Sequence, residues 1–306
     1  MPPLQAQTSP TWPQRPVKFI LPLGPGSGAD LGARLLADRL TTLWGQSVVV
    51  ENRPGADGIV AITAFVGARD DHTLLFGPTS SFVGHPYLHD KPPYDQRALG
   101  PIARVSSTVV TVAVPPSLNF GSLADLFALA RVQPGRLNWA TITGVTDIIV
   151  AGYLKSAGID MAKVPYRDTV QALNDLAEGR IQLYVAALAI VQAQMQAGRV
   201  KVIAVTNRMR APSLPNVPTV AEAGFPALSF DGLVGLFGPP DMPAELRERI
   251  AADIRMVLAD PIITTRLNAT GQLVTPGGPA ELTASIDEQR AQLAAFADLL
   301  GIKPKQ

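Results

Sequence analysis

Along this chain, short runs of apolar residues alternate with stretches whose apolar residues recur every three or four positions. Val17–Leu21 is a nearly unbroken apolar run and predicts a first strand. In residues 31–43, Leu31, Leu35, Leu36 and Leu40 fall on one side of a 3.6-residue repeat, predicting an amphipathic helix. Residues 48–50, 74–76 and 109–114 read as further strands, the last halted by Pro115 and Pro116. A new series then begins. It predicts helices at 123–130, 148–157 and 169–178, and strands at 137–140, 163–164, 181–185 and 200–205. After a proline-rich stretch at 212–226 come a strand at 233–237 and helices at 244–258 and 280–299. Short continuous apolar strands separated by helices predict an α/β chain of mostly parallel sheets flanked by helices.

Two such series joined by proline-rich crossings predict two lobes with a hinged cleft. The final two helices need a sheet to cover and are assigned back to the first lobe. Lobe 1 is therefore expected at 12–112 and 232–306, and lobe 2 at 113–231, with crossings near 112–115 and 224–231. No internal repeat is visible. The length of 306 residues suits two domains of ~100–200 residues each.

Composition narrows the chemistry. The formal net charge is +1, so nothing draws the whole chain towards nucleic acid or an acidic membrane, and anion recognition must be local. The absence of cysteine removes disulfides, thiolate metal sites and cysteine nucleophiles. Of the three histidines, His85 and His89 have the spacing of two ligands on a helix, but Pro86 argues against a helix there, and no metal site is expected. No window approaches the ~20 apolar residues of a membrane span. The first ten residues have no basic or apolar region of a signal peptide; a mature start and a cytoplasmic start both remain open.

The clearest local feature is the loop Leu23-Gly24-Pro25-Gly26-Ser27-Gly28-Ala29-Asp30, between a strand and a helix. Bare backbone N–H groups and the start of a helix form a site for a carboxylate or phosphate. The alternative is a tight βα turn with Asp30 as its cap. Glu51 stands where a dinucleotide-binding acid would lie, yet Gly24, Gly26 and Gly28 alternate directly and do not give the dinucleotide spacing. Three more junctions carry hydroxyl or polar groups: Thr79-Ser80-Ser81; Thr143, Thr146 and Asp147; and Tyr166-Arg167. Ligands in open sheets sit beyond the carboxyl ends of strands, so these loops are candidates for one cleft; ordinary helix capping is the alternative. No nucleophile elbow or Ser/His/acid set appears, and Asp70–Asp71 reads as a solvated turn, so no catalytic residues and no enzyme are expected.

Several blocks resemble one family. They are Trp12-Pro13-Gln14-Arg15-Pro16-Val17, the loop from Pro22 to Asp30, and Val48-Val49-Val50-Glu51-Asn52-Arg53-Pro54-Gly55-Ala56-Asp57-Gly58. Pro92-Pro93-Tyr94-Asp95, Val164-Pro165-Tyr166-Arg167 and Leu214-Pro215-Asn216-Val217-Pro218-Thr219-Val220-Ala221-Glu222-Ala223-Gly224 follow in order. Over 12–302 the chain resembles the periplasmic receptors of tripartite tricarboxylate transporters, the TctC or Bug family.

That resemblance implies a type II periplasmic binding protein fold and a small organic carboxylate held in the cleft, partly through water at the loop around Gly24–Asp30. It implies delivery to the membrane subunits of a transporter, a periplasmic location with the signal peptide removed, no cofactor and a monomer. The sequence departs from the family's pattern at Ala186-Ala187-Leu188 and Phe230-Asp231-Gly232-Leu233, and at Asp147. These departures predict a less polar wall at Ala187, with Asp147 or Asp231 reading an amine or hydroxyl. They suit a longer dicarboxylate or an aromatic acid. A sensing receptor for a membrane signalling partner and a nucleotide-dependent enzyme are the competing classes.

Overall fold

The computed structural model describes residues 12–118, 120–141, 144–166 and 168–305. The chain begins with β1 (Val17–Leu21), α1 (Gly28–Trp44), β2 (Val48–Asn52), α2 (Ile59–Ala68) and β3 (Thr73–Pro78). Two helical turns, α3 (Ser80–Val83) and α4 (His85–Leu88), precede β4 (Gly100–Thr108). A second group follows: β5 (Val110–Val114), α5 (Leu123–Val132), β6 (Asn138–Thr141), α6 (Gly144–Ser156), β7 (Ala162–Lys163), α7 (Thr169–Ala177), β8 (Leu183–Ala187), α8 (Leu188–Gln196) and β9 (Lys201–Val205). The chain closes with β10 (Gly232–Gly238), α9 (Ala244–Leu258), α10 (Pro261–Ala269), β11 (Gln272–Gly277) and α11 (Pro279–Leu300).

The strands form two sheets, ordered β11-β4-β10-β3-β1-β2 and β7-β6-β8-β5-β9. Both are mixed, where mostly parallel sheets were expected. β1 pairs in parallel with β2 and β3, and β6 with β7 and β8. β10, β11 and β5 run antiparallel to their neighbours. The chain path gives the reason. β1, β3, β6 and β8 end at the cleft between the sheets, whereas β5 and β10 arrive from the opposite lobe and must enter at that end, pointing the other way.

Each sheet is covered by helices. Ala33, Leu36 and Leu40 of α1 are fully buried against Phe19 of β1 and Phe76 of β3. A buried leucine of this kind stabilises by about 1.5–3 kcal/mol. Leu31, expected on that face, lies outside it and is 39% exposed. The second lobe has its own core around Val112, Phe127, Trp139 and Leu183.

The lobes are joined more tightly than the sequence predicts. Only Val109 separates β4 from β5, so Val110, Thr111 and Val112, expected in lobe 1, pair within the second sheet. Asn207 brackets this crossing: its Oδ1 accepts from the Val110 N–H at 2.9 Å, and its Nδ2 donates to the Thr108 carbonyl at 3.0 Å. The return crossing lies beside it, where the Phe230 N–H donates to the Thr206 carbonyl at 2.9 Å. A third contact is helical. α11 lies on β4 and also against α6, where Phe296 fills the space over Gly152. A Cβ on Gly152 would come within 2.6 Å of Phe296, so only glycine permits this approach.

Candidate functional site

Between the lobes lies a cavity of about 290 Å³. That is near the lower end of the ~300–1,000 Å³ typical of small-molecule sites. Its lobe 1 side is Pro22, Leu23, Gly55, Asp57, Gly58, Pro78, Ser80, Ser81, His85 and Leu88. Thr108, Val110, Phe230 and Gly232 of the crossings line it too, and lobe 2 adds Gly144, Val145, Thr146, Val185, Ala186 and Ala187. Among these residues there is no lysine or arginine.

The loop that stands out in the sequence has a different use from the one expected. Only Leu23 of Leu23–Asp30 lines the cavity; Gly24, Pro25, Gly26, Ser27, Gly28, Ala29 and Asp30 do not. Ser27 caps α1, its Oγ accepting from the Asp30 N–H at 3.2 Å. The Asp30 carboxylate is buried and accepts from the Gly26 N–H at 2.9 Å, from Asn52 at 2.8 Å and from Arg34 at 3.0 and 3.2 Å. The Gly26 N–H, expected to hold a ligand, is thus donated to the chain's own carboxylate. Burial alone would raise the Asp30 pKa, but the Arg34, Asn52 and Gly26 donors together hold it below the ordinary carboxylate value.

The helix starts that line the cavity belong to other helices. α2 starts at Gly58 and α8 at Ala187; neither start carries a side-chain cap, and both residues line the cavity. The first residues of α6 line it as well. A helix N-terminus carries roughly half a positive charge and unpaired N–H groups, and both favour a carboxylate. Two such starts line the cavity from opposite lobes, together with the apolar Val110, Val145, Val185 and Phe230. Their leading N–H groups are already donated, that of Gly58 to the Gly55 carbonyl at 3.0 Å and that of Leu188 to the Val109 carbonyl at 2.8 Å, so anion contact falls to the N–H groups that follow.

The α2 start depends on an unusual turn. Gly55, Ala56, Asp57 and Gly58 have φ of 130°, 46°, 53° and 95°. Left-handed backbone costs a non-glycine residue ~1–2 kcal/mol, so Ala56 and Asp57 need support from outside. Gly58 must be glycine: besides its φ, a Cβ there would meet the Ser81 Cβ at 2.9 Å.

The other candidates divide as follows. Ser80, Ser81, Thr146 and Ala187 line the cavity. Thr79 does not; it is buried and donates to Gln289 Oε1 at 2.6 Å. Asp147 pairs with Lys163 at 2.7 Å and accepts from the Thr141 hydroxyl. Tyr166 donates to Asp175 at 2.7 Å; burial, together with this bond, pushes the pKa of its hydroxyl up to about 12. Asp231 stands at the crossings, accepting from Ser107 and Asn207 at 3.3 Å each. Thr143 and Arg167 lie outside the described residues. Glu51 is held by Lys18 at 2.7 Å and by Arg53. His85, argued to be outside any helix, begins the single turn α4: Pro86 sits in the first turn, where no N–H is required. Asp70, Asp71 and His72 cluster, but Asp70 is occupied by the N–H groups of His72 and Thr73 at 2.7 and 2.8 Å. Sequence reasoning missed Gly55, Asp57, Gly58, His85 and Leu88. The two glycines flanking Ala56-Asp57, within the block Val48–Gly58 that carries the family resemblance, were the available signal.

A sequence profile of the tripartite tricarboxylate transporter family receptor matches residues 32–300. The chain belongs to this family. A relative from Pseudomonas sp. strain P51, a UPF0065 protein in the tcbD-tcbE intergenic region, is 31% identical over 287 residues, covering 92% of this chain and 85% of that one. The solved periplasmic binding protein BugD is 26% identical with a TM-score of 0.75, covering 96% of this chain and 100% of BugD. An R. palustris protein solved with adipate is 27% identical with a TM-score of 0.79, over 96% and 100% of the two chains. The family resemblance in the sequence is therefore confirmed, and with it the two-lobe α/β fold. The family and its solved members are periplasmic solute receptors rather than enzymes.

Proposed function

We propose that this chain captures a small organic carboxylate in its interlobe cleft, in the periplasm, and presents it to the membrane subunits of a tripartite tricarboxylate transporter. The observation that carries this reading is the pair of uncapped helix starts, at Gly58 and Ala187, facing one cavity of about 290 Å³. The charge of one carboxylate is met at each start by N–H groups, and the hydroxyls of Ser80, Ser81 and Thr146 add polar contacts. The apolar wall between them suits an acid with an unsubstituted carbon body, such as an α,ω-dicarboxylate. The R. palustris relative solved with adipate supports that class. The division into lobes follows the sheets, with hinge points at Val109 and at Phe230–Asp231, and the receptor acts as a monomer.

The test is a thermal-shift screen against mono-, di- and tricarboxylates and aromatic acids, with NAD and ATP as controls. A ligand that binds only the folded protein raises its melting temperature by mass action. A rise with linear dicarboxylates and none with nucleotides is expected. A rise confined to nucleotides would overturn the reading.

A further inference from the structure

His85 is nearly fully buried, lines the cavity and touches the strained turn that starts α2. Its Nε2 lies 3.1 Å from the Asp57 carbonyl oxygen, and its Nδ1 lies 2.5 Å from the Tyr94 hydroxyl. A carbonyl oxygen only accepts, so Nε2 carries the proton and Nδ1 accepts from Tyr94. We propose that His85 is a positioning residue for ligand capture: as the neutral Nε2–H tautomer it holds the Asp57 carbonyl and keeps residues 55–58 in the left-handed run that aims α2 into the cleft. This rests on the reading of the cleft as the ligand site.

Among the described residues, four bonds tie the turn down. Two lie within the turn itself: the Gly58 N–H donates to the Gly55 carbonyl at 3.0 Å and the Ile59 N–H to the Ala56 carbonyl. His89 Nε2 lies 2.9 Å from the Asp57 carboxylate, whose side chain is 70% exposed, so water competes for that contact. Among the described residues, the half-buried His85 bond is the one of these that holds the turn's backbone from outside it. Its geometry is set in turn by Tyr94, whose hydroxyl burial keeps protonated. Burial likewise holds the His85 imidazole below its usual pKa, with His89 adding to that effect and the Asp57 carbonyl and carboxylate opposing it. The clamp therefore stays in its neutral form at pH 7.

A packing role and a donor role make opposite predictions. His85→Leu keeps an apolar side chain and removes the donor. His85→Gln places an amide N–H near the Nε2 position, and His85→Asn keeps an amide too short to reach the carbonyl. Hydrogen exchange at the Gly58 amide and ¹⁵N shifts of the His85 ring are read on the full ligand-free chain, and adipate affinity by calorimetry. The proposal expects Nε2–H ring shifts. It expects Gly58 exchange faster by about tenfold or more in His85→Leu and His85→Asn, and near the wild-type rate in His85→Gln. Adipate affinity should follow the same order. Leu protecting Gly58 as well as Gln does, or an Nδ1–H ring, would overturn it. A wild-type chain that ignores adipate would count against the dicarboxylate reading, while exchange and ring shifts still decide the role of His85.

Discussion

Replacing Asp30 by Asn tests whether the glycine loop is held by its own carboxylate. The carboxylate is about 1% exposed and takes four donor contacts: Gly26, Asn52 and two from Arg34. An amide offers one acceptor oxygen and turns an NH₂ group towards the remaining donors. At least one neutral bond is lost, worth about 1 kcal/mol, and the charge-assisted contact with Arg34 weakens. Arg34 has a side chain 49% exposed and is rehydrated when released, so its share is discounted to about 1–2 kcal/mol. The expected loss is about 2–3 kcal/mol, read from urea melts of ligand-free protein at pH 7 with the slope unchanged. The acid limb gives an independent check. The folded pKa of Asp30 lies below the ordinary 3.8, so its contribution is present above that value and is lost as pH falls through the folded one. The gap between wild type and Asp30→Asn should therefore narrow as pH falls below about 4. A loss under 1 kcal/mol at pH 7, or a gap that does not change in acid, would refute this role of Asp30.

Three other outcomes follow from the packing. Gly152→Ala should cost ~1–3 kcal/mol by thermal melting, because its Cβ lands 2.6 Å from Phe296; adding Phe296→Ala should recover part of that loss rather than add to it. Thr79→Val leaves Gln289 Oε1 without its 2.6 Å donor and should destabilise by ~1–3 kcal/mol, with carboxylate affinity changed little in calorimetry. Asp231→Ala should speed amide exchange at Arg208, whose N–H lies 3.4 Å from the carboxylate, without changing which acids raise the melting temperature.

The fold class was legible because its strands are short, apolar and punctuated by proline, and because α1 and α9 carry a clear repeat. Three of the elements that escaped have physical reasons. β11 contains Pro276 and ends on Gly277, and it survives as a sheet-edge strand where a missing donor is tolerated. α8 follows β8 with no break, so the apolar run Leu183–Ala187 passes into the helix unmarked. α2 begins at a glycine without a side-chain cap, which deprives the sequence of the usual start signal. The glycine loop misled for the converse reason. Its signature is that of an anion site, and the anion it binds is Asp30, four residues after Gly26.

The route of the chain between the sheets also sets an order of assembly. All five strands of the second sheet lie within residues 110–205, so that sheet can close while the last third of the chain is still emerging. The first sheet cannot: β4 sits between β10 and β11, and Thr108 pairs with Gly232 on one side and Gln272 on the other. Until those distant residues arrive, β4 exposes two unpaired edges and β3 exposes one. A chain threaded through a membrane from its N-terminus would hold such edges open for the whole of its passage, and unpaired strand edges are where chains aggregate. The discontinuous lobe thus makes the receptor dependent on its last residues for a reason unrelated to its ligand, and truncation near β11 is expected to yield insoluble protein with an intact second lobe.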